Sequence, residues 1–277
     1  MDSGWEWDET LYAGSAEHYA VGRMPYPAVV ATVLAEELGL DGQGRLLDVG
    51  CGPGSLTGVL APLFASAVGV DADRDMLAEA SRRCGELGVS NVEWRHLRAE
   101  ELPSDLGPFR VVVFAQSFHW MDRAVVAGRV RGLLAPDGVW VHVSASTHQG
   151  VDGEDGLTHP RPPWDRIQEL VARHLGPVRR AGRGFLPSGT PSGEQEIMIE
   201  AGYRGPVRVR CGGGVVVARS VEEIVAAVFS LSGSTPHLFG SGRPVFEAEL
   251  RGLLMGASDG GLFAERTREI ELVIWRP

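Results

Sequence analysis

Short apolar runs alternate with segments of helical spacing along the first half of the chain. The runs predict five strands, at residues 45–50, 67–71, 92–97, 109–114 and 139–143. The segments between them predict helices at residues 27–38, from about 56, at 74–87 and at 122–134. Alternation of strand and helix is typical of a parallel sheet with helices on both faces. We therefore predict an α/β fold.

The alternation breaks after residue 145. Loop-like residues 148–163, a helix at 164–175, a β-like stretch at 207–219, helices at about 221–231 and 244–255, and a strand at 268–275 follow in order. We predict four parts: an amino-terminal lid segment (1–26, with Trp5 and Trp7), a core (27–147), a cap insertion (148–202) and a completion of the sheet (203–277) with a helical insertion at 220–262. The two insertions are expected to form a mainly helical cap over the carboxyl edge of the sheet.

Composition limits the partners of the chain. Hydrophobic residues make up 44% of the 277 residues, which is enough for a continuous core, and 36 acids against 26 bases give a net charge of −10. Such a charge repels nucleic acid and anionic membranes, and no run reaches the roughly 18 apolar residues of a membrane-spanning helix. We expect neither partner. The densest basic stretch, residues 173–183 with Arg179 and Arg180, is interpreted as a solvated loop.

The cysteines and the amino terminus indicate a compartment. Cys51, Cys84 and Cys211 are odd in number and far apart, which argues against a disulfide framework or a structural zinc site and favours a reducing environment. The first ten residues are acidic and lack the basic and apolar regions of a secretory signal. We expect a cytoplasmic protein without a metal. The sequence carries no indication of oligomeric state.

A glycine-rich turn follows the first predicted strand. It reads Asp48-Val-Gly50-Cys-Gly52-Pro-Gly54. In open α/β sheets, ligands bind where a strand turns into its helix, and glycine lets the backbone turn tightly and approach a ligand without an intervening Cβ. The turn is therefore a candidate binding loop. A glycine-rich turn without a ligand is the alternative.

The spacing of the glycines in this turn distinguishes between classes of nucleotide ligand. The dinucleotide pattern G-x-G-x-x-G fails because Ser55 and Thr57 stand where the third glycine belongs, and no lysine completes a P-loop. Asp71 ends the second strand 19 positions after Gly52, where a carboxylate can accept two hydrogen bonds from a ribose diol. An adenosine ligand fits, and phosphate is not required.

These motifs resemble class I methyltransferases that use S-adenosyl-L-methionine (SAM). Leu46–Gly54 with Val70-Asp71 is similar to their motif I and its successor. Ala99–Pro103, Ala115–Trp120 and Leu134–Gly138 are similar to segments of the small-molecule branch often called methyltransferase type 11. The resemblance spans residues 45–143. It implies a Rossmann-like, mostly parallel seven-stranded sheet, SAM as cofactor and a small molecule as methyl acceptor.

The resemblance also implies roles for individual residues. Around SAM it places Arg23, Asp48, Gly50, Cys51, Gly52, Asp71, Ala72, Ala99, Glu100 and Gln116. Asp71 would bind the ribose hydroxyls, Arg23 would face the SAM carboxylate, and Ala99 with Glu100 would lie beside adenine. Many relatives carry an aspartate just before the Ala-Glu pair, where this chain has Arg98. The Ala99 amide and Glu100 are then the candidate adenine contacts.

Methyl transfer needs alignment of the acceptor with the methyl group more than covalent help. A general base is needed if the acceptor loses a proton, and His119 is the candidate because it follows the fourth strand and has an ordinary pKa of ~6.5. A structural histidine is the alternative. Phe118 and Trp120 are candidate walls of an acceptor pocket, or they pack the next helix onto the sheet. Tyr19 is a substrate candidate with the same ambiguity.

Three rival functions were weighed against methyl transfer. Gly256-Ala-Ser258-Asp-Gly260 matches a hydrolase motif, but it stands at a predicted helix end instead of a strand-to-helix turn. A nicotinamide oxidoreductase is disfavoured because the dinucleotide pattern G-x-G-x-x-G does not fit the glycine turn from either Gly50 or Gly52. A protein that binds SAM without catalysis, or that catalyses another reaction such as a cyclisation, stays open because fold does not dictate function.

Overall fold

The computed structural model describes residues 8–144, 146–153, 156–181, 184–185 and 193–277. Trp5 and Trp7 of the predicted lid lie outside these residues. The chain forms two compact units. The sheet unit comprises Tyr26–Ala145, Ser192–Gly212 and Glu269–Pro277, and the helical unit comprises Met1–Pro25, Ser146–Pro191 and Gly213–Arg268.

The elements of both units are numbered in chain order. The strands are β1 (Arg45–Val49), β2 (Ser66–Asp71), β3 (Val92–His96), β4 (Phe109–Ala115), β5 (Leu134–Ser144), β6 (Arg180–Ala181), β7 (Gly184–Phe185), β8 (Arg204–Cys211), β9 (Val216–Ser220), β10 (Leu262–Arg266) and β11 (Ile270–Arg276). The helices are α1 (Ala16–Gly22), α2 (Val29–Leu38), α3 (Thr57–Leu60), α4 (Arg74–Glu86), α5 (Arg123–Arg131), α6 (Trp164–Leu175), α7 (Glu194–Glu200), α8 (Val221–Phe229) and α9 (Arg243–Met255).

The sheet unit is built on seven strands in the order β3-β2-β1-β4-β5-β11-β8. Strands β1 to β5 are parallel to one another, while β11 runs antiparallel to both β5 and β8. The predicted mostly parallel, seven-stranded α/β sheet is confirmed. Because the first five strands share one direction, the carboxyl ends of β1, β2 and β4 meet at one edge, which is where open α/β sheets bind ligands.

Helices cover both faces of this sheet, and the apolar runs of its strands follow from that burial. On one face, Val30 and Leu34 of α2 pack in the same core cluster as Leu46 of β1. On the other face, Val126 of α5 and Met198 of α7 share a core cluster with residues of β1, β4 and β5. Residues i and i+1 of a strand point to opposite faces, so a strand buried on both sides reads as continuously apolar.

Several element boundaries differ from the sequence prediction for local reasons. Pro62 shortens α3, which gives way to a 3₁₀ turn at Ala61–Leu63, as expected for a proline inside a helix. The predicted turn at residues 136–138 is part of β5, at a register shift against β4. The predicted β-stretch 207–219 is divided between β8 in the sheet unit and β9 in the helical unit.

Three consecutive glycines cause that division. Gly212, Gly213 and Gly214 have φ values of +64°, +82° and +74°, so the chain cannot continue as a strand through them. Helix α7, which falls within the predicted cap segment 148–202, belongs to the sheet unit. Tyr203, just after α7, is buried there and its hydroxyl donates to the Ala127 carbonyl of α5 at 3.1 Å.

The helical unit packs α6, α8 and α9 around an apolar core that includes Phe229 and Phe246. The antiparallel pair β9–β10 holds a buried ion pair in which Arg219 Nη1 lies 2.7 Å from Glu265 Oε2, and both side chains are 3% exposed. The amino-terminal segment belongs to this unit, because α1 packs on α8 and the Ser15 hydroxyl donates to the Phe229 carbonyl at 2.9 Å. The lid and cap roles stay predictions.

Candidate functional site

The backbone of the glycine loop turns sharply at the end of β1. The amides of Gly50 and Cys51 both donate to the Val70 carbonyl of β2, at 2.8 and 3.0 Å. Gly50, Gly52 and Gly54 have φ values of +67°, +53° and +71°, in the left-handed region that disfavours residues with a Cβ. The loop therefore depends on glycine at three positions.

The first two glycines are needed for different reasons. A Cβ on Gly50 would lie 2.5 Å from the Ser117 Cβ and 3.1 Å from the Met121 Cε, so this position is closed by the segment after β4. A buried hydrogen bond of 2.6 Å from the Ser117 hydroxyl to the Val49 carbonyl fixes that contact. A Cβ on Gly52 would meet nothing within 4 Å. The open space beside Gly52 allows a ligand to approach the backbone.

Asp71 is joined directly to this loop. Its Oδ2 accepts a hydrogen bond of 2.8 Å from the Gly52 amide, and its Oδ1 accepts one of 2.9 Å from the Asp73 amide. Burial raises the pKa of the Asp71 carboxyl to about 6, although these two hydrogen bonds act in the opposite direction. The carboxyl is therefore ionised at pH 7 and accepts hydrogen bonds at the edge of the sheet.

Asp48 lies beneath the loop and is fully buried. Its Oδ2 accepts a hydrogen bond of 2.7 Å from the Thr57 hydroxyl, while its Oδ1 has no partner in the described part of the chain. Burial, with a contribution from the nearby charge of Asp71, raises the pKa of Asp48 to about 7. Asp48 thus adds a buried acid of variable charge under the glycine turn.

The remaining loop residues contribute through their backbones. The Cys51 side chain is buried, and burial raises the pKa of its thiol well above the ordinary value. The thiol therefore stays protonated at pH 7 and is a poor nucleophile. The Ala72 carbonyl lies 3.0 Å from the His96 Nε2 at the end of β3. The backbone of both residues stays at the same edge of the sheet as Asp71.

The predicted adenine segment forms a 3₁₀ turn at Ala99–Glu101. Ala99 is buried in the core, and Glu100 Oε1 accepts a hydrogen bond of 2.8 Å from the Asp122 amide at the start of α5. Arg98 Nε lies 3.6 Å from Glu100 Oε2. Both carboxylate oxygens of Glu100 thus have partners. The backbone amide of Ala99 is therefore the better candidate for an adenine contact.

The segment after β4 has an unusual backbone. Gln116 has a φ of +56°, and a non-glycine residue held there costs about 1–3 kcal/mol, which is characteristic of functional sites. Phe118 is 2% exposed and packs edge-on against Phe114 and Trp140, with ring centroids 5.3 and 5.0 Å apart. Phe118 therefore packs mainly as a core residue. Trp120 is half-buried.

His119 differs from the expectation in its basicity. Burial, with a smaller contribution from Arg123, lowers its pKa to about 4, so it is neutral at pH 7 but a weaker base than its ordinary pKa implied. It borders a polar cavity of about 160 Å³ that Gln116, Glu194 and Arg208 also line. An imidazole in such a place can accept a proton or orient a polar group.

Comparison with known proteins identifies this part of the chain. Residues 46–138 match the methyltransferase domain family. The chain is 38% identical over 96 residues to a ubiquinone biosynthesis O-methyltransferase of Methylococcus capsulatus, covering 34% of this chain and 40% of the relative. It is 26% identical over 132 residues to the uncharacterized methyltransferase YcgJ of Bacillus subtilis, covering 47% and 52%. The matched segment, which holds the glycine loop and Asp71, is thus similar to a methyltransferase domain.

Solved structures share this fold at low sequence identity. A SAM-dependent methyltransferase from Geobacter sulfurreducens in complex with S-adenosyl-L-homocysteine (SAH) has a TM-score of 0.51 at 15% identity, covering 96% of this chain and 97% of that one. The cyclase SpnF has a TM-score of 0.50 at 19% identity, covering 92% and 84%. In sequence, the chain spans about half or less of the curated relatives named above.

Two predicted site residues, Arg23 and Tyr19, belong to the helical unit instead of the unit that holds the glycine loop. The Arg23 guanidinium donates to the Ser230 hydroxyl at 2.8 Å and to the Ser230 carbonyl at 3.1 Å, and it lies over the Tyr19 ring at 4.4 Å from the centroid. The Arg23 side chain is thereby engaged with the residue that follows α8 and with the Tyr19 ring. Their roles toward SAM and substrate stay predictions.

Sequence reasoning missed two residues of the site. Ser117 closes the space over Gly50, and His96 lies beside the Ala72 carbonyl. The signals were present: a small polar residue directly after β4, and a histidine at the carboxyl end of β3, paired in register with Asp71. Both positions follow from parallel strands ending at one edge of the sheet.

Other candidate chemistry is not supported by geometry. Ser258 follows α9 and its hydroxyl donates to the Leu262 carbonyl, so the hydrolase motif is a helix end. Within the described ranges, no three His, Cys, Asp or Glu side chains lie together as metal ligands. A search of the same residues finds no helix with the length and apolar character needed to cross a membrane.

Substitution at Gly52 separates backbone strain from loss of the ligand site. Gly52→Ala and Gly88→Ala each place a Cβ at a left-handed position with open space, where φ is +53° and +72°. Each should lower the free energy of unfolding in urea by about 1–2 kcal/mol. In calorimetry, Gly52→Ala alone should weaken SAH binding, by about tenfold or more. Equal SAH affinity of Gly52→Ala and wild type would contradict the loop assignment.

The raised pKa of Asp71 predicts the pH dependence of SAH binding. The ionised carboxyl accepts hydrogen bonds from ribose hydroxyls, and protonation below its pKa of about 6 removes that acceptor. SAH affinity should therefore fall as pH drops from 7.5 to 5, by up to about tenfold per unit below pH 6.

Two controls accompany this pH titration by calorimetry. Adenosine should follow the same trend, since it carries the ribose without the amino acid. Asp71→Asn should bind both ligands weakly with no change over this range. An affinity that is constant or rises toward pH 5 in the wild-type protein would exclude Asp71 as the ribose acceptor.

Proposed function

We propose that the chain binds SAM at the carboxyl edge of β1 and β2 and transfers the methyl group by in-line displacement to a small-molecule acceptor. One observation carries the proposal: the Gly52 amide, on the open side of the glycine loop, is held at 2.8 Å from the Asp71 carboxylate. A backbone that a ligand can approach and an acid at the adjacent strand end together suit an adenosine ligand.

The chemistry of the residues at this edge of the sheet supports SAM as the ligand. Asp71 accepts from ribose hydroxyls, and the backbones of Gly50, Cys51 and Gly52 line the methionine and ribose portions. The free Oδ1 of Asp48 leaves an acceptor for a donor bound beneath the loop. Ala72, Ala99, Glu100 and Gln116 complete the predicted binding set around the same edge. When bound, SAM supplies an electrophilic methyl group on its sulfonium.

The protein's share of the chemistry is mainly alignment. Holding the acceptor in line with the methyl group accounts for up to several kcal/mol of acceleration. His119 is the proposed proton acceptor for substrates that lose a proton, and its pKa of about 4 keeps it unprotonated at pH 7. A base with a low pKa removes a proton efficiently only from an acidic group. The low pKa of His119 therefore suits a methyl acceptor whose proton is itself acidic.

A small molecule is the proposed acceptor class. The net charge of −10 disfavours an anionic polymer, and the cavity beside His119 holds about 160 Å³, which accommodates a substituent of a small molecule but not a folded substrate. The second candidate function is SAM binding with a different reaction or none. It is favoured by the shared fold of the cyclase SpnF, because this fold hosts chemistry other than methyl transfer.

Turnover decides between these functions. The protein is incubated with methyl-labelled SAM and a small-molecule extract of the cells that contain it, and SAH formation and the labelled product are followed by mass spectrometry. We expect acceptor-dependent SAH formation. His119→Gln should lower the rate by about tenfold or more for acceptors that lose a proton. His174→Gln, at a histidine of α6 in the helical unit that lies beside Glu249, should change it little.

The same assay identifies failure. SAM that binds tightly but is recovered unchanged in the presence of the extract would contradict methyl transfer and support the second function. Transfer at the wild-type rate by His119→Gln, with each class of acceptor, would remove His119 as the base and leave alignment as the mechanism.

A further inference from the structure

A separate cavity of about 280 Å³ lies within the helical unit. Its walls come from the end of α6, the segment at residues 178–180 and the segment at residues 232–238. Leu11, Leu175, Val178 and Leu238 give it an apolar side, and Arg179 with Arg180 gives it a cationic side. A cavity with one apolar and one cationic wall is chemically asymmetric and suits an asymmetric ligand.

The two arginines are the unusual feature of this cavity. The Arg179 Nε and the Arg180 Nη1 are buried, and in the described part of the chain neither has a hydrogen-bond acceptor. The sequence predicts a solvated loop here, and both residues are partly exposed, but one guanidinium nitrogen of each is buried. A buried donor without an acceptor costs about 1–3 kcal/mol, and more when it is charged. The arrangement is therefore incomplete as it stands.

In the described part of the chain, no carboxylate compensates the charge of Arg179. Burial lowers the pKa of its guanidinium, and no described acidic side chain acts against that shift. The guanidinium is still charged at pH 7, because an arginine does not lose its proton in proteins. A partly buried guanidinium with a buried donor and no carboxylate partner favours an anionic ligand.

The other charged groups of the cavity leave this preference intact. Asp8 and His237 are the remaining titratable side chains of the lining. Asp8 Oδ1 accepts from the Thr10 amide and hydroxyl at 2.9 and 2.7 Å, and its Oδ2 lies 3.5 Å from Arg180 Nη2. Asp8 thus neutralises one guanidinium at most. His237 Nδ1 lies 3.1 Å from the Thr235 hydroxyl.

We propose that this cavity binds the oxyanion group of a small organic acid with an apolar body. The carboxylate or phosphate accepts hydrogen bonds from Arg179 Nε and Arg180 Nη1, and the apolar body lies against Leu175 and Val178. Guanidinium groups match planar oxyanions in geometry and charge. The site lies within the helical unit and depends on no property of the glycine loop, so it is independent of the proposed methyl transfer.

Matched ligands test the proposal on the full chain at constant ionic strength. Octanoate, octyl phosphate and octanol, below their aggregation concentrations, are titrated by calorimetry, with acetate and inorganic phosphate as head groups without a body. At least one of the two octyl anions should bind about tenfold or more tighter than octanol, because only the anions satisfy the guanidinium donors. The better of the two identifies the head group as carboxylate or phosphate.

Variants assign the preference to the two arginines. Arg179→Met with Arg180→Met should bind the octyl anions no better than octanol. Arg173→Met is the matched control, because Arg173 belongs to the same unit and its side chain is 68% exposed beside Glu249, and it should keep the wild-type preference. The single variant Arg179→Met should unfold at or above the wild-type temperature, since it removes a buried donor that has no acceptor among the described residues.

Defined results overturn the proposal. Octanol binding as tightly as both octyl anions, or no binding of any probe by the folded wild-type protein, would exclude an oxyanion site. Undiminished anion preference in Arg179→Met, which removes one cation with little change in volume, would exclude the guanidinium as the anion's partner even if the double variant does not fold.

Discussion

The turn at the end of β1 is the constraint on which the site depends. After β1 the chain turns in the space between the end of β2 and the segment after β4. Gly50 has no room for a Cβ there, because the Ser117 Cβ stands 2.5 Å from where that atom would be. The Ser117 hydroxyl bonds to the Val49 carbonyl, so the closing residue is itself held by the strand it covers. This contact fixes the loop against β4 and leaves the neighbouring Gly52 open.

The acids beneath the loop give the site its electrostatic character. Burial raises the pKa of Asp48 to about 7 and of Asp71 to about 6, so each ionised carboxyl destabilises the free sheet unit as pH rises from about 4 through these values. Natural proteins keep such costs chiefly where function requires them. A ligand that donates hydrogen bonds to these carboxyls relieves the cost, which couples binding to the stability of the loop.

The sequence predicts correctly those strands and helices that depend only on residues close together in the chain. The apolar runs at β1 and β4 and the helix at Trp164–Leu175 were readable because each is continuous and bounded by turn residues. The split of residues 207–219 was missed because the strand propensity of the valines concealed three left-handed glycines. The membership of α7 in the sheet unit depends on packing by Met198, which no periodicity reveals.

In the candidate site, too, the sequence predicts some features and misses those that depend on tertiary packing. Gly52 and Asp71 were predictable because a strand end and a spacing define them. The low pKa of His119 and the burial of Arg179 were not, because both depend on residues distant in the chain that exclude water from the side chain. Sequence identifies which chemistry is possible at a position, and tertiary burial sets its strength.

Calorimetric titration of the wild-type protein with SAH, with NADH as control, tests the central claim most directly. The open glycine loop and the Asp71 carboxylate predict micromolar or tighter binding of SAH and no binding of NADH. Failure of the folded protein to bind SAH, or equal binding of NADH, would contradict the assignment of this edge of the sheet as a SAM site.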